Sequence, residues 1–440
     1  MAKNKRPKVL KIFLILIGAA SLLLIVYFLP PVHDRLSPYV MIVQSKIYYF
    51  FNPPGETAFT PGEREIMAEI VSKTQTAIAP EPTETLIPSL TPTNYQSPTP
   101  TQTITPTPTP TQIPESVKLE GVVWQNQKLF NNYCGPANLS MALSYWGWEG
   151  DQTVTGPVLK PNPEDRNVMP YEMVDYVLEE TEFSVKLRWG GDLEILKKFI
   201  AAGFPVLIEK GFEEEVPQGG WMGHYGVITG YDDSNGTVII QDSFVKPDYV
   251  YTYERVMDHW LEFNYVYLVI YPPEYEAEIN AILGPQADET YNLEYAAQKA
   301  LEETQTRHGR ELFFAWYNYG TSLVNLNDYY GAAIAYDNAF DLQNELYEGA
   351  YPFYRILWYQ TGPYFAYFYT GRYQTLIDLA DLTLSYSYRP AIEETWVWRG
   401  RARVALGETE DAIEDFRTAL EWHPNWWVAE TELRTLGVEP

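Results

Sequence analysis

The single cysteine of the chain lies in a stretch whose residue types favour nucleophilic chemistry. Because Cys134 has no second cysteine to pair with, it cannot form an intramolecular disulfide. Pro136 follows closely, and the apolar spacing of residues 137–145 predicts a helix, since proline is well tolerated in a first helical turn. Cys134 then lies at or just before a helix N-terminus, where unpaired amides and the helix dipole favour a thiolate. These residues alone leave a buried structural cysteine and a nucleophile equally open.

A predicted hairpin farther along the chain supplies a histidine and a carboxylate. His224 stands at the head of the apolar run 223–231, and residues 237–240 predict a second strand that leads to Asp242. An Asn-Gly turn at 235–236 joins the two strands. His224 and Asp242 can therefore lie side by side, and the order Cys, His, Asp is that of papain-like thiol enzymes. This order favours the nucleophile.

Together these segments resemble the peptidase C39-like family, the papain-like group of double-glycine peptidases. The matching pieces are Asn-Asn-Tyr-Cys-Gly-Pro-Ala at 131–137, Leu-Lys-Pro-Asn-Pro-Glu-Asp at 159–165, the run 224–233 and the Gln-Asp pair at 241–242. The resemblance extends roughly from Leu119 to Tyr271 and implies an α+β papain-like fold. The family's commoner pattern places cysteine directly after Asn-Asn, whereas Tyr133 intervenes here, which leaves the register just upstream open.

The chemistry expected of this constellation is attack of a thiolate on an amide carbonyl. His224 takes the proton of Cys134, and Asp242 fixes the tautomer of His224. The tetrahedral intermediate needs donors at its oxyanion, and the backbone N–H of Cys134 is one. The resemblance implies a glutamine a few residues before the cysteine as another, here Gln127 or Gln125. Alignment from the start of the matching region favours Gln127.

Length and composition limit the classes of function. At 440 residues, 46% of them apolar, the chain has room for two or three domains with sizeable cores. The net charge of −27, from 31 basic and 58 acidic residues, argues against a nucleic-acid partner. We predict no metal site and no cofactor, because none of the other histidines has a cysteine or carboxylate cluster at metal-binding spacing. They are His33, His259, His308 and His423.

The N-terminal residues predict a membrane anchor. Residues 1–11 are rich in lysine and contain no acid, and an uncharged apolar run from Ile12 to Leu29 follows. As a helix this run is about 27 Å long, near the thickness of the hydrocarbon layer. The basic cluster should stay cytoplasmic, so the rest of the chain lies outside the cell membrane; a cleaved signal peptide is the alternative. We assign residues 1–31 to a tail and single-pass anchor, and 32–61 to a juxtamembrane segment.

Residues 62–117 predict a disordered, Thr/Pro-rich linker. Beyond Ala79 the sequence repeats Thr-Pro, most regularly at 105–110. Such a segment cannot bury a core and favours extended polyproline II, so it acts as a semi-rigid stalk. A stalk is useful where a domain must be held away from a surface, which supports the anchor.

The C-terminal third is helical and repetitive. Five positions recur at the same spacing: Trp316, Gly320, Ala332, Tyr336 and Ala339 return as Trp396, Gly400, Ala412, Phe416 and Ala419. These offsets resemble tetratricopeptide repeats, and residues 354–386 are the candidate for a more divergent copy between the two. Such repeats stack into an all-α solenoid with a concave groove. The resemblance implies binding of a protein or peptide there.

We therefore predict a peptidase C39-like domain at 118–272 and a repeat domain at 286–440. The predicted function is a membrane-anchored, extracytoplasmic cysteine peptidase or amidase that acts on a peptide or protein substrate. Two alternatives remain open. One is a catalytically inactive papain-like scaffold, and the other is a thiol acyltransferase or transpeptidase that uses the same three residues. The sequence does not name the substrate.

Overall fold

The computed structural model describes residues 113–130, 132–213, 221–346, 353–387 and 389–440. The predicted anchor and juxtamembrane segment, and nearly all of the predicted linker, lie outside these ranges. Within the ranges, no helix is both long enough and apolar enough to cross a membrane. We refer to residues 113–271 as the sheet module and to residues 276–440 as the helical module.

The sheet module is built on an antiparallel sheet. Within the described residues its seven strands have the order β2-β7-β3-β4-β5-β6, with β1 paired to the end of β4. Their bounds are β1 Ser116–Lys118, β2 Ser184–Arg188, β3 Val206–Phe212, β4 Met222–Asp232, β5 Thr237–Asp242, β6 Lys246–Thr252 and β7 Tyr267–Tyr271. The central strands β3, β4 and β7 are buried along almost their whole length.

Helices cover both faces of this sheet. They are α1 Cys134–Ser144, α2 Gln152–Leu159, α3 Pro170–Glu180, α4 Leu193–Ala201 and α5 Tyr253–Leu261. On one face, Leu139 of α1 and Val177 of α3 share a core with Tyr225 of β4. On the other, Phe199 of α4 and Trp260 of α5 belong to a second core. An antiparallel sheet with separate helices confirms the α+β prediction.

Two strands differ from their predicted bounds. The sequence predicts a strand at 204–208, but β3 runs to Phe212 because neighbouring strands bury Glu209 and Lys210, whose charges argue against a buried strand. The last strand is predicted from Tyr265 but begins at Tyr267. Asn264 and Tyr265 have φ values of 52° and 51°, outside the extended region.

The helical module consists of antiparallel helix pairs that follow two leading helices. The bounds are α6 Glu276–Leu283, α7 Glu289–Thr306, α8 Gly309–Asn325, α9 Tyr329–Leu346, α10 Gly362–Tyr369, α11 Tyr373–Ser385, α12 Glu393–Leu406, α13 Thr409–Trp422 and α14 Trp427–Thr435. A Cβ on Gly320 of α8 would lie 2.8 Å from the ring of Tyr336, and one on Gly400 of α12 would lie 2.6 Å from the ring of Phe416. The recurring glycine therefore lets a ring of the second helix approach the first. The shorter pair α10–α11 lies between these two copies.

The two modules pack directly on each other. One apolar core contains residues of both, and the Trp221 ring lies 6.0 Å from Phe314 and 5.8 Å from Tyr359. Polar contacts add to it: Asn318 of α8 donates to the carbonyl of Leu261 at 2.6 Å. Helix α8 thus packs against the sheet module.

Candidate active site

Cys134 is the first residue of α1 and is partly exposed. The chain enters the helix through Asn132, whose φ is 53°. The intervening Tyr133 places its ring against α2, where a Cβ on Gly156 would come within 2.4 Å of the tyrosine hydroxyl. The backbone N–H of Cys134 lies in the first helical turn, where an amide has no partner within the helix. A thiol and a donor for an oxyanion are thus adjacent.

The hairpin of β4 and β5 brings His224 and Asp242 together. Val227 is paired with Gln241, and continuing this register puts Asp242 opposite Gly226, diagonal to His224 on the same face. The Nε2 atom of His224 is 3.0 Å from Oδ1 of Asp242. Since Nε2 faces the carboxylate, Nδ1 is the ring nitrogen left for the hydrogen bond with Cys134.

The carboxylate of Asp242 is fixed from several sides. Its Oδ1 also accepts backbone N–H bonds from Phe244 at 3.0 Å and Val245 at 2.9 Å. Burial by itself would raise the pKa of Asp242, but the charge and hydrogen bond of His224 outweigh it and hold this pKa below its usual range. Asp242 is therefore ionised and rigidly oriented toward the imidazole.

The thiol and the imidazole shift each other's pKa values. Burial would lower the pKa of His224, yet Asp242 and the hydrogen bond with Cys134 raise it to about 9. Burial would raise the pKa of Cys134, but His224, the backbone N–H of Tyr225 and the charge of Lys160 together lower it. Both shifts favour a resting thiolate–imidazolium pair at neutral pH.

Three charged residues that the sequence did not single out as site residues surround this pair. Lys210 is directly opposite His224 on β3, is fully buried, and has its Nζ 3.9 Å from Oδ2 of Asp242. Lys160, whose Nζ donates to the carbonyl of Asn132 at 3.0 Å, lies in the matching segment 159–165. Burial and the nearby charge of Cys134 raise the pKa of Glu209 well above its usual value. Of the three, only Lys160 lies in a segment that matched the family pattern.

The two candidate glutamines have different surroundings. Gln127 is buried, and its Oε1 accepts from the hydroxyl of Ser243 at 2.5 Å. That hydroxyl accepts from Asn138 at 2.8 Å, and Asn138 also donates to the carbonyl of Cys134 at 2.9 Å. Because Oε1 of Gln127 is engaged as an acceptor, the side-chain NH₂ of Gln127 is the group that can donate to an oxyanion. The hydrogen bonds that link Gln127 to Cys134 pass through Ser243 and Asn138, for which the sequence offered no signal.

Gln125 is occupied elsewhere. Its Oε1 accepts from the backbone N–H of Gln152 at 2.7 Å, at the start of α2. This contact satisfies a helix N-terminus, which is a structural role.

The helical module contributes a wall of the site. A Cβ on Gly223, the neighbour of His224, would lie 2.7 Å from the ring of Tyr359. A cavity of about 640 Å³ lies between the modules, lined by Met169, Tyr171, Glu209, Tyr359 and Trp398 among others. Cys134 and His224 are not among its lining residues, but Glu209, whose pKa the charge of Cys134 raises, is.

Comparison with known proteins supports both predicted regions. Residues 119–268 match the sequence model of the Peptidase C39 like family, and residues 393–425 match that of the tetratricopeptide repeat. Both resemblances expected from the sequence are confirmed. A crystal structure described as that of a C39-like peptidase from Bacillus anthracis is similar at 19% identity, covering 36% of this chain and 98% of that one, with a TM-score of 0.29. No curated protein matches the chain.

Proposed function

We propose that the protein is a cysteine peptidase or amidase whose catalytic residues are Cys134, His224 and Asp242. The observation that carries the proposal is the position of His224, which is bonded to Asp242 through Nε2 and to the thiol on its other side. This is the arrangement that activates a thiol for attack on a carbonyl. The match of residues 119–268 to a peptidase family supports the same chemistry.

The reaction proceeds in two halves. The thiolate of Cys134 attacks the amide carbonyl, and the resulting oxyanion accepts hydrogen bonds from the N–H of Cys134 and the side-chain amide of Gln127. The imidazolium of His224 then protonates the departing amine, which leaves an acyl-enzyme. In the second half His224 removes a proton from water, the hydroxide displaces the thiolate, and the acid product leaves.

The alternatives make different demands on the site. A catalytically inactive scaffold has no use for a lowered thiol pKa beside a histidine with a pKa of about 9, so these shifts favour an enzyme. A transferase or transpeptidase forms the same acyl-enzyme and differs in the acceptor, an amine in place of water.

Peptide hydrolysis with a matched variant tests the proposal. We expect the full chain to react with a thiol-directed activity probe and to cleave members of a peptide library, and Cys134→Ser to do neither. If product were released only when a primary amine is added, the function would be that of a transferase and not of a peptidase. The proposal would be refuted if the parent protein, correctly folded by circular dichroism, neither reacted with the probe nor processed any peptide. The catalytically inactive scaffold would then be the remaining function.

The helical module is proposed to bind a protein or peptide. The tetratricopeptide match supports this, as does the 70% exposure of Trp427 at the C-terminal end, where an aromatic ring is available to a partner.

The membrane location is a proposal from the sequence. Residues 12–29 anchor the protein, and both modules lie on the outer side of the cell membrane, held off by the Thr/Pro-rich residues 62–117. Protease added to intact cells should cut within 62–117 and release a fragment recognised by an antibody against the C-terminus. Complete protection of the C-terminus until the cells are lysed would place the modules in the cytoplasm.

A further inference from the structure

Three side chains that are far apart in the sequence meet where the two modules join. Glu172 comes from α3 of the sheet module, Glu393 is the first residue of α12, and His423 directly follows α13. One potential ligand atom of each lies within 4.8 Å of those of the other two. None of these three side chains has a part in the proposed reaction.

The hydrogen bonds of the cluster leave one buried oxygen unsatisfied. Nδ1 of His423 is 2.8 Å from Oε1 of Glu393, and Oε2 of Glu172 accepts from the backbone N–H of Met169 at 2.6 Å. Glu393 is only 3% exposed, and its Oε2 has no hydrogen-bond partner. Folded proteins rarely leave a buried carboxylate oxygen unsatisfied, because its lost hydration must be replaced, and a bound cation replaces it.

Further ionisable groups lie near the cluster. Glu394 and Asp165 both lie close enough to act on Glu172 electrostatically. Lys160 is a nearby cation that acts on Glu393 and Asp165, and its ammonium donates to the carbonyl of Asn132 at 3.0 Å. Four carboxyl groups thus share this region with two cations, Lys160 and Arg166, and one imidazole.

We propose that Glu172, Glu393 and His423 bind a divalent transition-metal ion, of which Zn²⁺ is the probe we would use. Two carboxylate oxygens and one imidazole nitrogen suit Zn²⁺, with water completing a tetrahedron. The 2.8 Å between Nδ1 of His423 and Oε1 of Glu393 is a hydrogen-bond distance, and two ligand atoms of a tetrahedral Zn²⁺ ion lie about 3.3 Å apart. Binding of the ion therefore replaces the shared proton and moves the two atoms apart by about half an ångström. The ion joins α3 to α12 and α13 and so holds the helical module against the sheet module.

Metal titration of the full chain tests this, in a Cys134→Ser background that removes the thiol as a competing ligand. After chelation, we expect one equivalent of Zn²⁺ to bind by calorimetry and to raise Tm, and Co²⁺ to give a visible absorption spectrum typical of bound ion. His423→Gln should weaken Zn²⁺ binding by about 100-fold or more, since even loss of an outer partner of a metal ligand costs 10–100-fold. His308→Gln is the matched control, because His308 lines a different cavity with His259 and Glu262.

Each result decides for or against the site. Equal Zn²⁺ affinity of His423→Gln and its parent would overturn the proposal, as would loss of binding in His308→Gln alone. Glu393→Gln serves as the second variant if His423→Gln is misfolded by circular dichroism, and it too should lose the metal and the Co²⁺ spectrum. A chelated parent that binds neither Zn²⁺ nor Co²⁺ would also refute it. None of these readouts depends on peptide cleavage, so they stand apart from the proposed activity.

Discussion

His224 and His423 each lie within hydrogen-bond distance of a buried carboxylate, and the two pairs differ in what surrounds them. His224 and Asp242 lie 3.0 Å apart within the sheet module, and His423 and Glu393 lie 2.8 Å apart where the modules meet. In the first pair the carboxylate oxygen near the imidazole has two backbone N–H donors and the far side of the ring faces Cys134. In each pair the other carboxylate oxygen has no hydrogen-bond partner among the described residues, but near Asp242 it faces Lys210 at 3.9 Å, whereas near Glu393 a second carboxylate stands close by.

Under the two proposals above, the third group sets the chemistry of such a pair. A thiol beside the imidazole yields a proton relay for a nucleophile. A second carboxylate beside it yields a concentration of negative charge, which a cation relieves. The location matters as well, because the first pair sits on one rigid hairpin whereas the second depends on two modules staying in contact.

Of the substitutions that test the difference between the two pairs, Asp242→Asn should have the largest effect on turnover. Without the carboxylate, His224 loses the group that fixes its tautomer, and turnover of a cleaved peptide should fall by about 10⁴-fold. Steady-state kinetics measure this, with Asp233→Asn on the same hairpin as the control, since Asp233 pairs with Lys197 and Tyr253, away from the thiol. A loss of turnover of similar size in His423→Gln would mean that the second pair also takes part in the reaction. The two pairs would then not differ in function.

The same variant should change the pH dependence of thiol reactivity. Asp242 is the largest influence that raises the pKa of His224 to about 9, so removing its charge lowers that pKa and weakens the imidazolium that stabilises the thiolate. The thiolate of Cys134 then forms only at higher pH, and alkylation by iodoacetamide near pH 6 should slow in Asp242→Asn. An unchanged alkylation profile would show that the ion pair does not govern the thiol.

A smaller effect, about 100–1,000-fold on turnover, is expected for Gln127→Ala. This substitution removes one oxyanion donor but leaves the thiol and imidazole in place, so alkylation of Cys134 should stay nearly unchanged. Gln125→Ala is the matched control, because Gln125 bonds the start of α2. If Gln125→Ala gave the large loss and Gln127→Ala did not, the glutamine assignment would be wrong by two positions.

Much of the site was predictable because its elements are local. The helix after Cys134 and the hairpin from His224 to Asp242 follow from proline at a helix start, alternating apolar residues and an Asn-Gly turn. The repeat pattern was also visible, and the close contact of Gly400 with Phe416 gives its physical reason.

The charged residues around the thiol were not predictable in the same way. Glu209 and Lys210 extend β3 beyond its predicted end, because burial between two neighbouring strands overrides the local preference of charged residues for solvent. The sequence also gave no reason for a metal site at His423. Its two carboxylate neighbours are contributed by other helices, so their spacing along the chain carries no metal-binding pattern.

The sequence by itself determined the helix that begins at Cys134, the hairpin that carries His224 and Asp242, and the repeating helices, since periodicity and turn chemistry report on residues close along the chain. Only the tertiary structure decided that Lys210 faces Asp242, that Tyr359 closes over Gly223, and that the carboxylates at the junction meet His423. The physical reason is that burial and charge neighbourhood arise when distant elements pack. Those contacts depend on the relative placement of whole helices and strands, which no local pattern of residues encodes.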